Sequence, residues 1–171
     1  MTKTRKKIIW ITEGAIVAAL YVVITYFVSA FNLASGAIQV RLSDALCILP
    51  VFTPAAIPGL FAGCLLANLL TGCVVWDIVF GSLATLIGAI GTYYLKKTRF
   101  LCVIPPILSN AIIVPFVLKY AYDLDDAWWF LALTVGVGEL IAIGICGTIL
   151  RKSLRVSVFR SNEYSIEKKK S

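Results

Sequence analysis

Four long apolar runs, at about 8–31, 75–95, 100–121 and 128–150, dominate this 171-residue chain. Each matches the ~20 residues an α-helix needs to cross the hydrocarbon core of a bilayer. In lipid every backbone N–H and C=O must be satisfied within the structure, which leaves helices as the form such runs can take. With 60% hydrophobic residues and a mean hydropathy of +0.91, most of the surface must face lipid or other protein. The expected class is an all-α membrane protein.

Between the first two runs lies 43–71, SDALCILPVFTPAAIPGLFAGCLLANLLT, apolar throughout but cut by Pro50, Pro54 and Pro58. Proline removes a backbone donor and clashes with the preceding turn, so one continuous helix is not expected. Charge decides how often the segment crosses. Basic clusters stand at the N-terminus, at Lys96, Lys97 and Arg99, and after Leu150. The positive-inside rule puts all three in the cytoplasm, so an even number of crossings separates the N-terminus from Lys96. The segment 43–71 must then cross twice, as short helices at about 43–52 and 55–71. The expected fold is a six-transmembrane-helix bundle with both termini cytoplasmic and short, proline-broken second and third helices. A basic tail (1–7) and a polar basic C-terminal tail (156–171) would flank the single bundle domain, 8–155. On this count 14 of the 16 Lys and Arg lie inside; only Arg41 and Lys119 lie outside, with the acidic loop Asp123, Asp125, Asp126. Short helices at membrane depth are tolerated where they are buried in protein or line a cavity.

Composition also excludes chemistry. The net charge of +7 gathers at the ends of apolar runs, which is an orientation signal and not a nucleic-acid footprint. There is no histidine, hence no Ser/His or Cys/His pair for covalent catalysis. The five cysteines (Cys47, Cys64, Cys73, Cys102, Cys146) form no C-x-x-C pair and read as small core hydrophobes, so no zinc, haem or other metal site is expected. No phosphate-cradling G-x-x-x-x-G-K-[ST] segment is present; any use of ATP would come through a partner.

Within the apolar runs the polar residues are few. Glu139 lies near the middle of the last run, where a carboxylate costs several kcal/mol unless it is paired, protonated or lining a cavity. It reads as part of a binding site. Asp44 follows Ser43, the N-cap expected for the second helix; it either complements the helix dipole or enters the pocket, with Arg41 three residues upstream as an available ion-pair partner. Asn68 and Asn110 need hydrogen-bond partners, from a neighbouring helix or from a ligand. Asp77 follows Trp76 at the outer end of the fourth helix, and is either a solvated helix start or a pocket acid. Glu13 is expected to snorkel beside the basic N-terminus. The loop 32–42, NLASGAIQVRL, carries Gln39 and Arg41 and is either a plain connection or a pocket rim.

If Asp44, Asn68, Asp77 and Glu139 converge with Gln39, Trp76 and Asn110, the pocket suits a flat, hydrogen-bond-rich, cationic small molecule. A phosphate or carboxylate ligand would want several arginines. In the first helix, Gly14-x-x-x-Ala18 and Ala15-x-x-x-Ala19 form small-residue strips that let another helix approach closely, from within the bundle or from a partner.

The stretch Gly36–Leu86 contains GAIQVRLSDAL, LPVFTPAAIPGLFAGCLLANLL and WDIVFGSLATL. It resembles the queuosine-precursor transporter family, substrate-binding (S) components of energy-coupling factor (ECF) transporters, and the likeness runs over nearly the whole chain. The resemblance implies a non-enzymatic S component in the bacterial cell membrane that captures an aminomethylated deazaguanine, or a close relative, from outside. It also implies a transmembrane coupling subunit and two ATPase subunits as partners. Those subunits would use ATP, while the chain itself would hold no cofactor. The A-x-x-x-A strip that meets the coupling subunit in such components maps to Ala15 and Ala19. For such a ligand Glu139 would accept the paired N–H groups of the base or the aminomethyl cation, and Asp77 or Asp44 would take the other. Asn68 and Asn110 would read the carbonyl and Trp76 would stack. Two other classes stay open: a stand-alone carrier driven by protons or sodium through Glu139, against which no internal repeat is visible, and a scaffold whose polar residues only hold helices together.

Overall fold

Proline and glycine set where the helices of this chain stop and start. In the computed structural model, which describes residues 3–30, 41–98, 100–122 and 127–154, α1 runs Lys3–Ala30 with no proline in it. A 3-10 helix, Leu42–Val51, follows, then α2 at Ala56–Leu70 and α3 at Val75–Tyr94. A 3-10 turn, Leu101–Val103, leads into α4, Ile104–Ala121. The last helix begins as α5, Trp128–Glu139, widens into a π-helix over Leu140–Gly147 and stays helical to Leu154. Gln39, the loop 32–40, the acidic loop 123–126 and the C-terminal tail lie outside the described residues.

The prolines act as expected at their positions. Pro50 stands in the last turn of the 3-10 helix and Pro54 in the turn after it. Pro58 is the third residue of α2, where a backbone N–H would have no intrahelical acceptor in any case. At the far end of α2, Cys73 N–H donates to Asn68 O (3.0 Å) and Gly72 N–H to Leu69 O (3.3 Å). This is a Schellman stop, and its left-handed residue is Gly72, φ +73°. α1 begins at Lys3, so Lys3, Arg5, Lys6 and Lys7 lie in its first turns.

The helices follow one another around a ring. α1 packs on α2, α2 on α3, α3 on α4 and α4 on α5; the 3-10 helix closes the ring against the π segment, α3 and α1. Among the described residues four helical segments are long and apolar enough to cross a membrane: Lys3–Ala30, Val75–Tyr94, Leu101–Ala121 and Trp128–Leu154. The 3-10 helix and α2 are apolar but have only 10 and 15 residues. At rises of ~2.0 and ~1.5 Å per residue each is about 20 Å long, short of a hydrocarbon core ~30 Å thick.

Small residues bring the helices close. The main core gathers Val17, Tyr21, Leu46, Cys47, Leu60, Cys64 and Ile143 with alanines of α2 and α3. Gly14 and Ala18 face Gly59 and Gly63 of α2, so this strip packs inside the bundle. Ala15 and Ala19, one position on, are exposed. Glu13 does not snorkel freely: Thr53 Oγ1 donates to its Oε2 at 2.6 Å, tying α1 to the turn before α2. A hydroxyl within reach is a closer partner than the basic residues two turns away.

Candidate functional site

The ring of helices encloses a chain of polar side chains drawn from six elements. Asp44 enters from the 3-10 helix and is fully buried. Its carboxylate accepts from Tyr21 Oη of α1 at 2.5 Å and from Asn110 Nδ2 of α4 at 3.4 Å. The same Asn110 amide donates to Glu139 Oε1 at 2.8 Å. Glu139 is 4% exposed, and its second oxygen, Oε2, has no hydrogen-bond partner among the described residues. The amide nitrogen has two hydrogens, and both are taken. Two acids thus share one neutral amide, and Glu139 Oε2 receives no hydrogen bond among the described residues.

The second half of the cluster lies beside the first. Arg41 Nη2 contacts both oxygens of Asp77, at 3.3 and 3.2 Å, and Tyr122 Oη donates to Asp77 Oδ2 at 3.2 Å. Asp77 sits in the first turn of α3, where the helix dipole also favours a carboxylate. Burial, then the adjacent Asp77 charge, pushes the Tyr122 hydroxyl up to about 12, so it stays a donor. Asn68 donates to the backbone carbonyl of Asp77 at 3.3 Å and to Cys64 Sγ at 3.7 Å. Gly81 backs the pair: a Cβ there would lie 3.1 Å from Asp77 Oδ1 and 3.5 Å from Arg41 Nη1.

Of the residues selected from sequence, Asp44, Asn110 and Glu139 meet directly, and Arg41, Asp77 and Asn68 meet beside them. Asn68 holds α2 to the start of α3, which is a structural bond. Arg41 pairs with Asp77 and not with Asp44, the acid closest to it in sequence, because Asp77 offers two oxygens while Tyr21 and Asn110 already donate to Asp44. Trp76 stands apart. Its ring is 60% exposed, stacks on Phe80 at 5.8 Å, and lines an apolar groove of about 590 Å³ between α3 and α4 with Phe116 and Tyr120. None of the buried acids lines that groove. No three His, Cys, Asp or Glu side chains gather to hold a metal among the described residues.

Two contributors were missed in the sequence: Tyr21 and Tyr122. The signal for Tyr21 was its spacing, seven residues after Gly14 and four after Val17, which puts it on the helix face that meets α2. Tyr21→Phe removes a buried donor to a carboxylate and should lower stability by about 2 kcal/mol, measured as unfolding in mixed micelles. An unchanged midpoint would rule the bond out as a support for Asp44.

A family model described as QueT transporter matches residues 11–156, which spans every element of the bundle. Comparisons with curated proteins and with solved structures gave no match.

Proposed function

Because this chain belongs to the QueT transporter family, a family of multi-pass membrane proteins for queuosine precursors, we propose that it is the substrate-binding subunit of an ATP-driven, ECF-type importer. Its ligand is an aminomethyl-deazaguanine or a close relative, captured from the outside. The reading includes six crossings with both termini in the cytoplasm, the 3-10 helix and α2 being the two short ones.

One observation carries the ligand assignment. Asp44 and Glu139 meet at the Asn110 amide from separate elements, and Glu139 Oε2 lacks a donor among the described residues. A guanine-like base has adjacent N1–H and NH₂ donors that a carboxylate accepts side by side, and the aminomethyl cation supplies the charge that the second acid needs. Asn110 bridges the two acids. The exposed Ala15 and Ala19 of α1 leave room for the close approach of a coupling-subunit helix. The described residues that line the groove beside Trp76 are apolar and aromatic and include none of the buried acids, so it does not compete as the deazaguanine site.

Titration calorimetry of the purified protein with aminomethyl-deazaguanine tests the reading. Binding is expected for the native chain, with ordinary nucleobases much weaker. Glu139→Gln keeps the shape and loses the charge; it should weaken binding about thirtyfold, or about 2 kcal/mol. An unchanged dissociation constant removes Glu139 from the site. Uptake by this chain alone in ATP-depleted vesicles would instead favour a carrier driven by protons or sodium.

A further inference from the structure

We propose that Asp77 is a positioning residue that determines charge specificity: by holding Arg41, it keeps the guanidinium off Asp44 and Glu139 and so leaves the site selective for a cation. The inference rests on the ligand reading above.

Arg41 and Asp44 are three residues apart, and Asp44 N–H donates to Arg41 O at 2.9 Å, closing the first turn of the 3-10 helix. Arg41 is the N-cap residue, just outside the 3-10 helix, and its carbonyl closes the turn that carries Asp44. Asp44 is therefore the carboxylate nearest to Arg41 along the chain. Yet the contact goes to Asp77, across 36 residues of sequence. Three features fix that choice. Asp77 presents both oxygens to Arg41 Nη2. Tyr122 Oη orients the same carboxylate from the end of α4. Gly81 has no side chain to fill the space that Arg41 Nη1 and Asp77 Oδ1 occupy.

The consequence is electrostatic. With Arg41 paired to Asp77, the donors that reach Asp44 and Glu139 among the described residues are a tyrosine hydroxyl and an amide, both uncharged. An incoming ammonium finds acids with no internal cation to displace. Were Arg41 released, its guanidinium would be free to turn to Asp44 and occupy the place of the ligand's charge. Asp77 then governs affinity without touching the ligand.

The experiment compares two probes by calorimetry, aminomethyl-deazaguanine and the neutral deazaguanine that lacks the aminomethyl group. In the native protein the cation is expected to bind more tightly. In Asp77→Ala that preference should fall by at least about tenfold, while the neutral base changes little. Arg41→Met combined with Asp77→Ala should restore it, since the competing charge is gone. Asp77→Asn, which retains volume and the Tyr122 contact, serves where the alanine variant does not fold. Equal losses for both probes in Asp77→Ala, without rescue by Arg41→Met, would reduce Asp77 to a structural role and overturn the inference. A native protein that binds both probes, with the cation preference unchanged in both Asp77 variants, overturns it too and leaves the ligand reading standing. Absence of binding of either probe to the native protein overturns both.

Discussion

Gly59→Leu is expected to destabilise the bundle by about 3 kcal/mol and to cost ligand binding at a residue that touches no ligand. A Cβ on Gly59 would lie 2.5 Å from Gly14 O and 3.1 Å from Gly14 Cα, inside the van der Waals distance of a backbone that cannot rotate away. One turn on, a Cβ on Gly63 would lie 2.9 Å from Tyr21 Cβ and 3.0 Å from Ala18 Cα. Overpacking commonly costs about 1–3 kcal/mol, and the upper end applies here because the obstacle is backbone. α1 has little else to hold it: 11% of its most apolar window is buried, against 44% for the other three long spans. In lipid the seam is held by close packing, since apolar surface gains nothing from leaving water. Pushing α1 outward also withdraws Tyr21 from Asp44, which links the seam to the site. The control is Gly136→Ala, whose new Cβ meets only Ala111 Cβ at 3.7 Å and should be neutral or slightly stabilising. Unfolding in mixed micelles, with calorimetry alongside, reads both. A Gly59→Leu protein as stable as the Gly136→Ala control would show that α1 is held by something other than this seam.

What the sequence disclosed and what it hid follow from the same physics. Pro50, Pro54 and Pro58 act locally, through a missing donor and a fixed φ, so the break between the 3-10 helix and α2 was readable residue by residue. Glu139, Asp44 and Asn110 were readable because an apolar run makes any polar residue conspicuous and its cost large. Partner choice was not readable. Arg41 looked closest to Asp44, and only the packing of α3 and the end of α4 brings Asp77 and Tyr122 to it. Trp76 was assigned to the polar pocket by adjacency to Asp77. Neighbours in a helix point about 100° apart, and here that rotation sends the ring into the α3–α4 groove. The π segment after Glu139 left no trace either. Leu140–Gly147 is apolar on every side, so no periodic stripe records its register. Its widened turn depends on tertiary approach to the 3-10 helix, where a Cβ on Gly147 would lie 3.2 Å from Ala45 O. Wide turns of this kind occur often beside functional residues, and this one begins right after Glu139.

Asn110→Leu should have the larger effect on the site itself. The substitution is close in volume and suits an apolar helix, so by packing alone it ought to be mild. Asn110 Nδ2, however, is the donor that Asp44 Oδ2 and Glu139 Oε1 share. Without it Glu139 has no donor among the described residues for either oxygen, since Oε2 already lacks one. Stripping the donor from a buried acid costs about 1–3 kcal/mol, and more where the acid is charged, and both carboxylates lose the amide that bridges them. The expected result is a loss of about 3 kcal/mol of stability together with loss of measurable binding. A second substitution separates the causes. In an Asn110→Leu protein that also carries Glu139→Leu, the stranded acid is gone, so much of the stability should return while binding stays lost. If instead the double variant is no more stable than Asn110→Leu alone, the penalty lies in α4 packing around Pro115, and the amide is not what lets two acids share the middle of this bundle.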